Sequence, residues 1–202
     1  MGTTIFADDF HNPMSGWTIT TAASGTTFTY TVGGYVIGAV GDNMAHFAYA
    51  PYSAARQQLS VSMTGTLAGT ATQGAALGVI CRRGTGDSRL LYEFWVYDDG
   101  SYSIERRDGP VSTTGEPREL TSGHGTQPAG TAPLTVEGVC STVDSETTRL
   151  VLYADGVQMD DITDTAYNMP NDAWLGGIGA LSVGTDVQSM TFTRFVERDL
   201  SK

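Results

Sequence analysis

LLYEFWVYDDGSYSIERRDG, residues 90–109, carries two alternating runs on either side of an Asp-Asp-Gly turn. Tyr92, Phe94 and Val96 alternate with Glu93, Trp95 and Tyr97, and after Asp98-Asp99-Gly100 the alternation resumes with Tyr102 and Ile104 against Ser103 and Glu105. Period two places successive side chains on opposite faces of a strand, and a glycine in the turn supplies the left-handed residue that closes a hairpin. With Tyr97 set opposite Ser101, Trp95 faces Ser103 and Glu93 faces Glu105, with Arg107 further along the same face. Tyr92, Phe94, Val96, Tyr102 and Ile104 then form a wholly apolar face that needs a second layer to cover it.

The same period recurs outward along the chain, at 27–32, 35–39, 59–64, 75–81, 134–140, 150–153, 174–181 and 189–196, and a second Asp-Gly hairpin stands at 153–157. Nine or ten short strands predict an all-β sandwich of two antiparallel sheets, and 202 residues suit one large domain spanning 1–202. The best helical candidate, 53–58, is too short to matter. Segments 64–74 and 108–133 are rich in Gly, Thr, Ser and Pro and read as loops. The second is long enough that part of it is expected to pair as a strand.

A net charge of −11 excludes a phosphate-binding surface and with it nucleic acid as a partner. No apolar run is long enough to span a bilayer, so this segment is not expected to insert in a membrane. Met1 and Gly2 adjoin the first strand directly, which reads as a mature domain separated from any export signal or anchor. Ten of the eleven basic residues are Arg, a bias associated with a high-GC bacterial genome. Cys81 and Cys140 each end an apolar strand, with no metal-ligand spacing near them. On the residues alone they are either a structural disulfide or two separate buried thiols.

Several pieces together resemble a bacterial extracytoplasmic family of concanavalin-like jelly-roll domains, found on secreted proteins, lipoproteins and the outer parts of receptor-type kinases. They are ADDFHNPMSGW at 7–17, GGYVIGA at 33–39, GVICRR at 78–83, the opening hairpin, LTVEGVC at 134–140, LVLYADGVQMDD at 150–161, LGGIGAL at 175–181 and MTFTRFV at 190–196. The resemblance implies that Cys81 and Cys140 pair and that the chain works outside the cytoplasm. It fixes no single activity, because relatives of this shape include lectins, glucanases and sensor modules. One departure stands out: Thr193 and Arg194 precede Phe195 where such domains usually carry an Asp.

A glucanase on this fold would show alternating acids, Glu-x-Asp-x-Glu, on one strand face, and no such run exists. The nearest string, Glu197-Arg198-Asp199, reads as part of a solvated tail. The cross-strand pair Glu93 and Glu105 is the alternative carboxyl pair, at a separation of roughly 5 Å that suits a retaining glycosidase. Trp95 and Tyr97 on the same face, with Glu93, Glu105 and Arg107, make a candidate ligand platform, since sugars require aromatic rings beside hydrogen-bonding groups. Asp8-Asp9, Asp98-Asp99 and Asp160-Asp161 read as loop acids that serve turn geometry. Asp9 is the candidate ligand should calcium be a cofactor. His11, His46 and His124 are isolated in sequence. Three functions follow: a noncatalytic extracytoplasmic binding or sensor domain for a glycan or cell-surface polymer, a glycoside hydrolase using Glu93 and Glu105, and a structural or protein-interaction module.

Overall fold

The computed structural model describes residues 2–22, 24–39, 44–51, 56–68, 74–83, 90–108, 117–165, 174–182 and 188–201. The described strands are β1 (Thr3–Asp8), β2 (Thr20–Thr21), β3 (Thr27–Thr31), β4 (Gly34–Ala39), β5 (Ala45–Tyr49), β6 (Gln58–Ala68), β7 (Ala76–Arg83) and β8 (Leu90–Tyr97). They continue with β9 (Ser101–Asp108), β10 (Arg118–His124), β11 (Leu134–Thr142), β12 (Thr148–Ala154), β13 (Val157–Asp164), β14 (Trp174–Leu181) and β15 (Gln188–Asp199). Among the described residues none is helical. Of the short helical candidate, residues 53–55 lie outside the described residues and Gln58 opens β6.

One sheet runs β13-β12-β11-β6-β15-β4-β3-β2, with β1 also pairing β15; the other runs β10-β9-β8-β7-β14-β5. Every described pairing is antiparallel. The chain changes sheet at β5, β6, β7, β11, β14 and β15. That repeated crossing makes the all-β sandwich a jelly roll.

The apolar phases of the two sheets meet between them. Val61, Met63, Val136, Leu152, Phe192 and Phe195 of the larger sheet share one buried cluster with Leu77, Val79, Tyr92, Phe94, Ile104 and Ile178 of the smaller. Gly138 of β11 leaves room for the Phe94 ring; a Cβ there would stand 2.6 Å from Phe94 Cδ2. Cys81 of β7 and Cys140 of β11 form a disulfide that joins the two sheets through the core.

The motif at 7–17 is a packing device. Asp8 accepts hydrogen bonds from the Phe10 amide at 2.8 Å, from Trp17 Nε1 at 2.9 Å and from Ser15 Oγ. This folds the segment so that Trp17 packs on Phe10, Tyr35 and Phe195, with Phe10 at a φ of 59°.

Three expectations are corrected. Residues 64–68, read as loop, extend β6 and pair with β11 and β15. Asp160 and Asp161, read as loop acids, lie in β13. Glu197, read as part of a solvated tail, is 2% exposed in β15, because that strand runs between β6 and β1 instead of fraying.

Candidate functional site

The face of the smaller sheet that points away from the core is the side the opening hairpin was expected to offer to a ligand. The β8–β9 ladder pairs Glu93 with Glu105 and Trp95 with Ser103, and Leu91 pairs with Arg107. The carboxylate row extends one strand further, where Glu119 of β10 pairs with Glu105.

Glu93 and Trp95 lie at the bottom of this face and are covered, at 0% and 1% exposure. Trp95 fits over glycines: a Cβ at Gly78 would stand 2.5 Å from its Cε3, and one at Gly179 would stand 2.6 Å from its Cη2. Phe47 of β5 closes over the far side, its ring centroid 6.0 Å from that of Trp95. Trp95 therefore offers no open ring for stacking, and its place on the ligand platform becomes that of a support. Glu93 takes an ion pair from Arg107 Nε at 2.8 Å on Oε1 and a hydrogen bond from Trp95 Nε1 at 3.1 Å on Oε2. With an oxygen committed to each neighbour, Glu93 holds the indole and the guanidinium in place.

Glu105 is in a different situation. Its Oε1 accepts from Ser103 Oγ at 2.9 Å and from Tyr97 OH at 3.2 Å. Burial, and then the negative charge of Glu93, push its pKa above the usual carboxylate range. Burial also raises the Tyr97 phenol, followed by the charge of Glu105, so Tyr97 stays protonated and donates.

The surface opens beside these residues, toward the sheet edge. A cavity of about 410 Å³ is lined by Tyr97 of β8, by Asp99 of the turn, by Ser101, Tyr102 and Ser103 of β9, and by Glu119, Ser122, Gly123 and His124 of β10. Its size is that of a small-ligand pocket and its lining is mostly hydroxyl and carboxylate. Of the β10 residues the sequence singles out only His124, as an isolated histidine, and not Glu119, Ser122 or Gly123. A bulge between Glu119 and Thr121 breaks the alternation that would have revealed the strand. The expectation that part of 108–133 pairs was sound; the contribution of that part to the open surface was not legible.

Asp8, Asp9, Asp98, Asp160 and Asp161 make turn hydrogen bonds, packing contacts and ion pairs. Asp9 is fully exposed, its Oδ1 accepting the His11 amide at 3.1 Å, which holds its pKa below the ordinary carboxylate range. The groove of about 360 Å³ beside it is lined by Arg194, a cation that opposes calcium there. Asp8 is committed to three donors, so the residues around Asp9 do not fit a calcium cage. Among the described residues no group of three or more His, Cys, Asp or Glu could hold a metal ion. Asp98 accepts the Gly74 amide, Asp160 accepts from Thr121 Oγ1 and Asp161 pairs with Arg149. The histidines are dispersed: His11 lies beside Asp9, His46 is in β5 within 3.3 Å of Thr26 Oγ1, and His124 is in β10 at the opposite edge of the same sheet.

No protein-family model matches the chain, and no curated protein matches it. Solved structures do resemble it. The potassium-bound form of the Emp46p carbohydrate recognition domain superposes with a TM-score of 0.63 at 12% identity, covering 94% of this chain and 91% of that one. A Bacillus licheniformis beta-glucanase superposes with a TM-score of 0.62 at 11% identity over 98% of both chains. The lectin UEA-II complexed with galactose gives 0.55 at 11% identity, covering 96% of this chain and 98% of that one. At such identities the likeness shows the fold alone, a concanavalin-like jelly roll shared by lectins and glucanases.

Proposed function

We propose that the chain is a noncatalytic carbohydrate-binding domain of an extracytoplasmic protein. Its ligand lies on the outer face of the six-stranded sheet, against Tyr97 and the β9–β10 cavity. The observation that carries this reading is the cavity itself, an open depression whose hydroxyls and carboxylates sit on a rigid sheet and match the hydrogen-bonding needs of a sugar. Glu93, Trp95 and Arg107 act from beneath by fixing the floor, and Glu105 orients Tyr97 and Ser103. The disulfide fits an oxidising compartment.

The test is a glycan-array screen of the purified chain beside Tyr97→Phe and Ser103→Ala. Specific binding weakened by both substitutions supports the reading. Binding unaffected by either would place the ligand elsewhere.

Glycoside hydrolysis is the second reading, favoured by the register that sets Glu93 opposite Glu105 and by the raised pKa of Glu105, which suits a general acid. It requires Glu93 to reach a substrate, and Glu93 is completely covered. Hydrolysis of any bound glycan that disappears in Glu93→Gln would establish it.

A further inference from the structure

The cavity's hydrogen-bond balance indicates which sugars it takes, an inference that rests on the carbohydrate-binding reading. Its serine protons are already committed. Ser101 Oγ donates to Asp99 Oδ1 at 2.6 Å, Ser122 Oγ to Glu119 Oε1 at 2.9 Å and Ser103 Oγ to Glu105 Oε1 at 2.9 Å. A hydroxyl has one proton and two lone pairs, and an ionised carboxylate has lone pairs only. Ser103 is buried against Tyr97 and Glu105, so what the open side, Asp99, Ser101, Glu119 and Ser122, turns toward a ligand is acceptors. Asp99 is fully exposed, and its hydrogen bonds from the Ser101 side chain and amide hold its pKa below the ordinary carboxylate range. Among the described lining residues the side chain able to carry positive charge is His124, placed where it acts on Asp99.

A ligand suited to such a surface is a donor. A neutral sugar hydroxyl brings one proton and two lone pairs, and an N-acetyl group brings one N–H and a carbonyl acceptor. A uronic acid brings acceptors and negative charge against acceptors and negative charge. A primary ammonium brings three donors, no acceptor and the complementary charge. We infer that the cavity selects glycans bearing free amino groups, of the glucosamine-oligomer class, over N-acetylated and acidic glycans. A lysine-rich peptide shares the ammonium and lacks the ring hydroxyls whose protons the lone pairs of Ser101 and Ser122 would accept.

The experiment is calorimetric titration of the whole chain with a glucosamine oligomer, its N-acetylated counterpart, a galacturonic acid oligomer and tetralysine, repeated on Asp99→Asn and Glu119→Gln. Both substitutions keep an oxygen to accept from Ser101 or Ser122 while removing the charge and turning the other oxygen into an NH2 donor, so unchanged thermal unfolding is expected. The glucosamine oligomer should bind about fivefold or more tightly than the N-acetylated one, the upper range for one exposed charge pair. Each variant should lower that preference by about two- to fivefold, weakening the glucosamine oligomer more than the N-acetylated one. The preference should also shrink as salt is raised. Equal binding of the two oligomers overturns the amine preference and leaves the carbohydrate reading standing. Tighter binding of the acidic oligomer, or of tetralysine over every sugar, also overturns it. Absence of binding to any glycan in the series overturns both.

Discussion

Replacing the Glu197 carboxylate by an amide, Glu197→Gln, should raise the stability of the chain above neutral pH. Glu197 points from β15 into the layer between the sheets, where its Oε1 accepts the Gly176 amide at 2.6 Å, and the side chain is 2% exposed. Burial pushes its pKa up from 4.5 to about 7, against the opposing pull of the Gly176 hydrogen bond and the Arg56 charge. In the unfolded chain the carboxyl titrates near the ordinary value, so between 4.5 and about 7 the native state holds a proton that the unfolded state has lost. Stability must then fall as pH rises through that window. The interval corresponds to about 3 kcal/mol, fully imposed above neutral pH and absent below 4.5. The amide keeps the acceptor for Gly176 and carries no charge, so it should recover most of this penalty, less what is lost with Arg56. Urea unfolding at pH 5 and pH 8 reads both quantities. The Glu197→Gln variant should flatten the difference between the two pH values and gain about 2–3 kcal/mol at pH 8 alone. A wild-type chain as stable at pH 8 as at pH 5, or a variant with the same pH dependence as wild type, would mean that Glu197 imposes no such penalty.

Two further substitutions probe how the sheets are held. Removing the Cys81–Cys140 bond by a double Ala substitution frees a crosslink between residues 59 apart and should cost about 4 kcal/mol in denaturant unfolding. Gly179→Ala should cost about 1–3 kcal/mol and perturb the Trp95 fluorescence, because the new Cβ would stand 2.6 Å from Trp95 Cη2.

How far the sequence was readable differs from element to element for physical reasons. The β8–β9 register was legible because Asp98-Asp99-Gly100 determines the turn, and one turn sets every pair along the ladder. The cover over Trp95 was not, since it depends on Gly78, Gly179 and Phe47 from three other strands, one of which showed no strand signal. Period two told which face Trp95 takes and could not tell whether that face is open. Glu197 was misread because a charged residue near a chain end is ordinarily solvated; here β1 and β6 flank its strand. The cavity was half legible, its β9 side from alternation and its β10 side hidden by a bulge within a polar segment.

Whether a glycan lies on the outer face of the six-stranded sheet is decided by amide chemical-shift mapping with the tightest glycan ligand. The largest shifts should fall on Tyr97, Asp99, Ser101, Ser103, Glu119 and Ser122, around the cavity. Shifts centred instead on the Asp8–Asp9 groove or on the outer face of the larger sheet would contradict that placement.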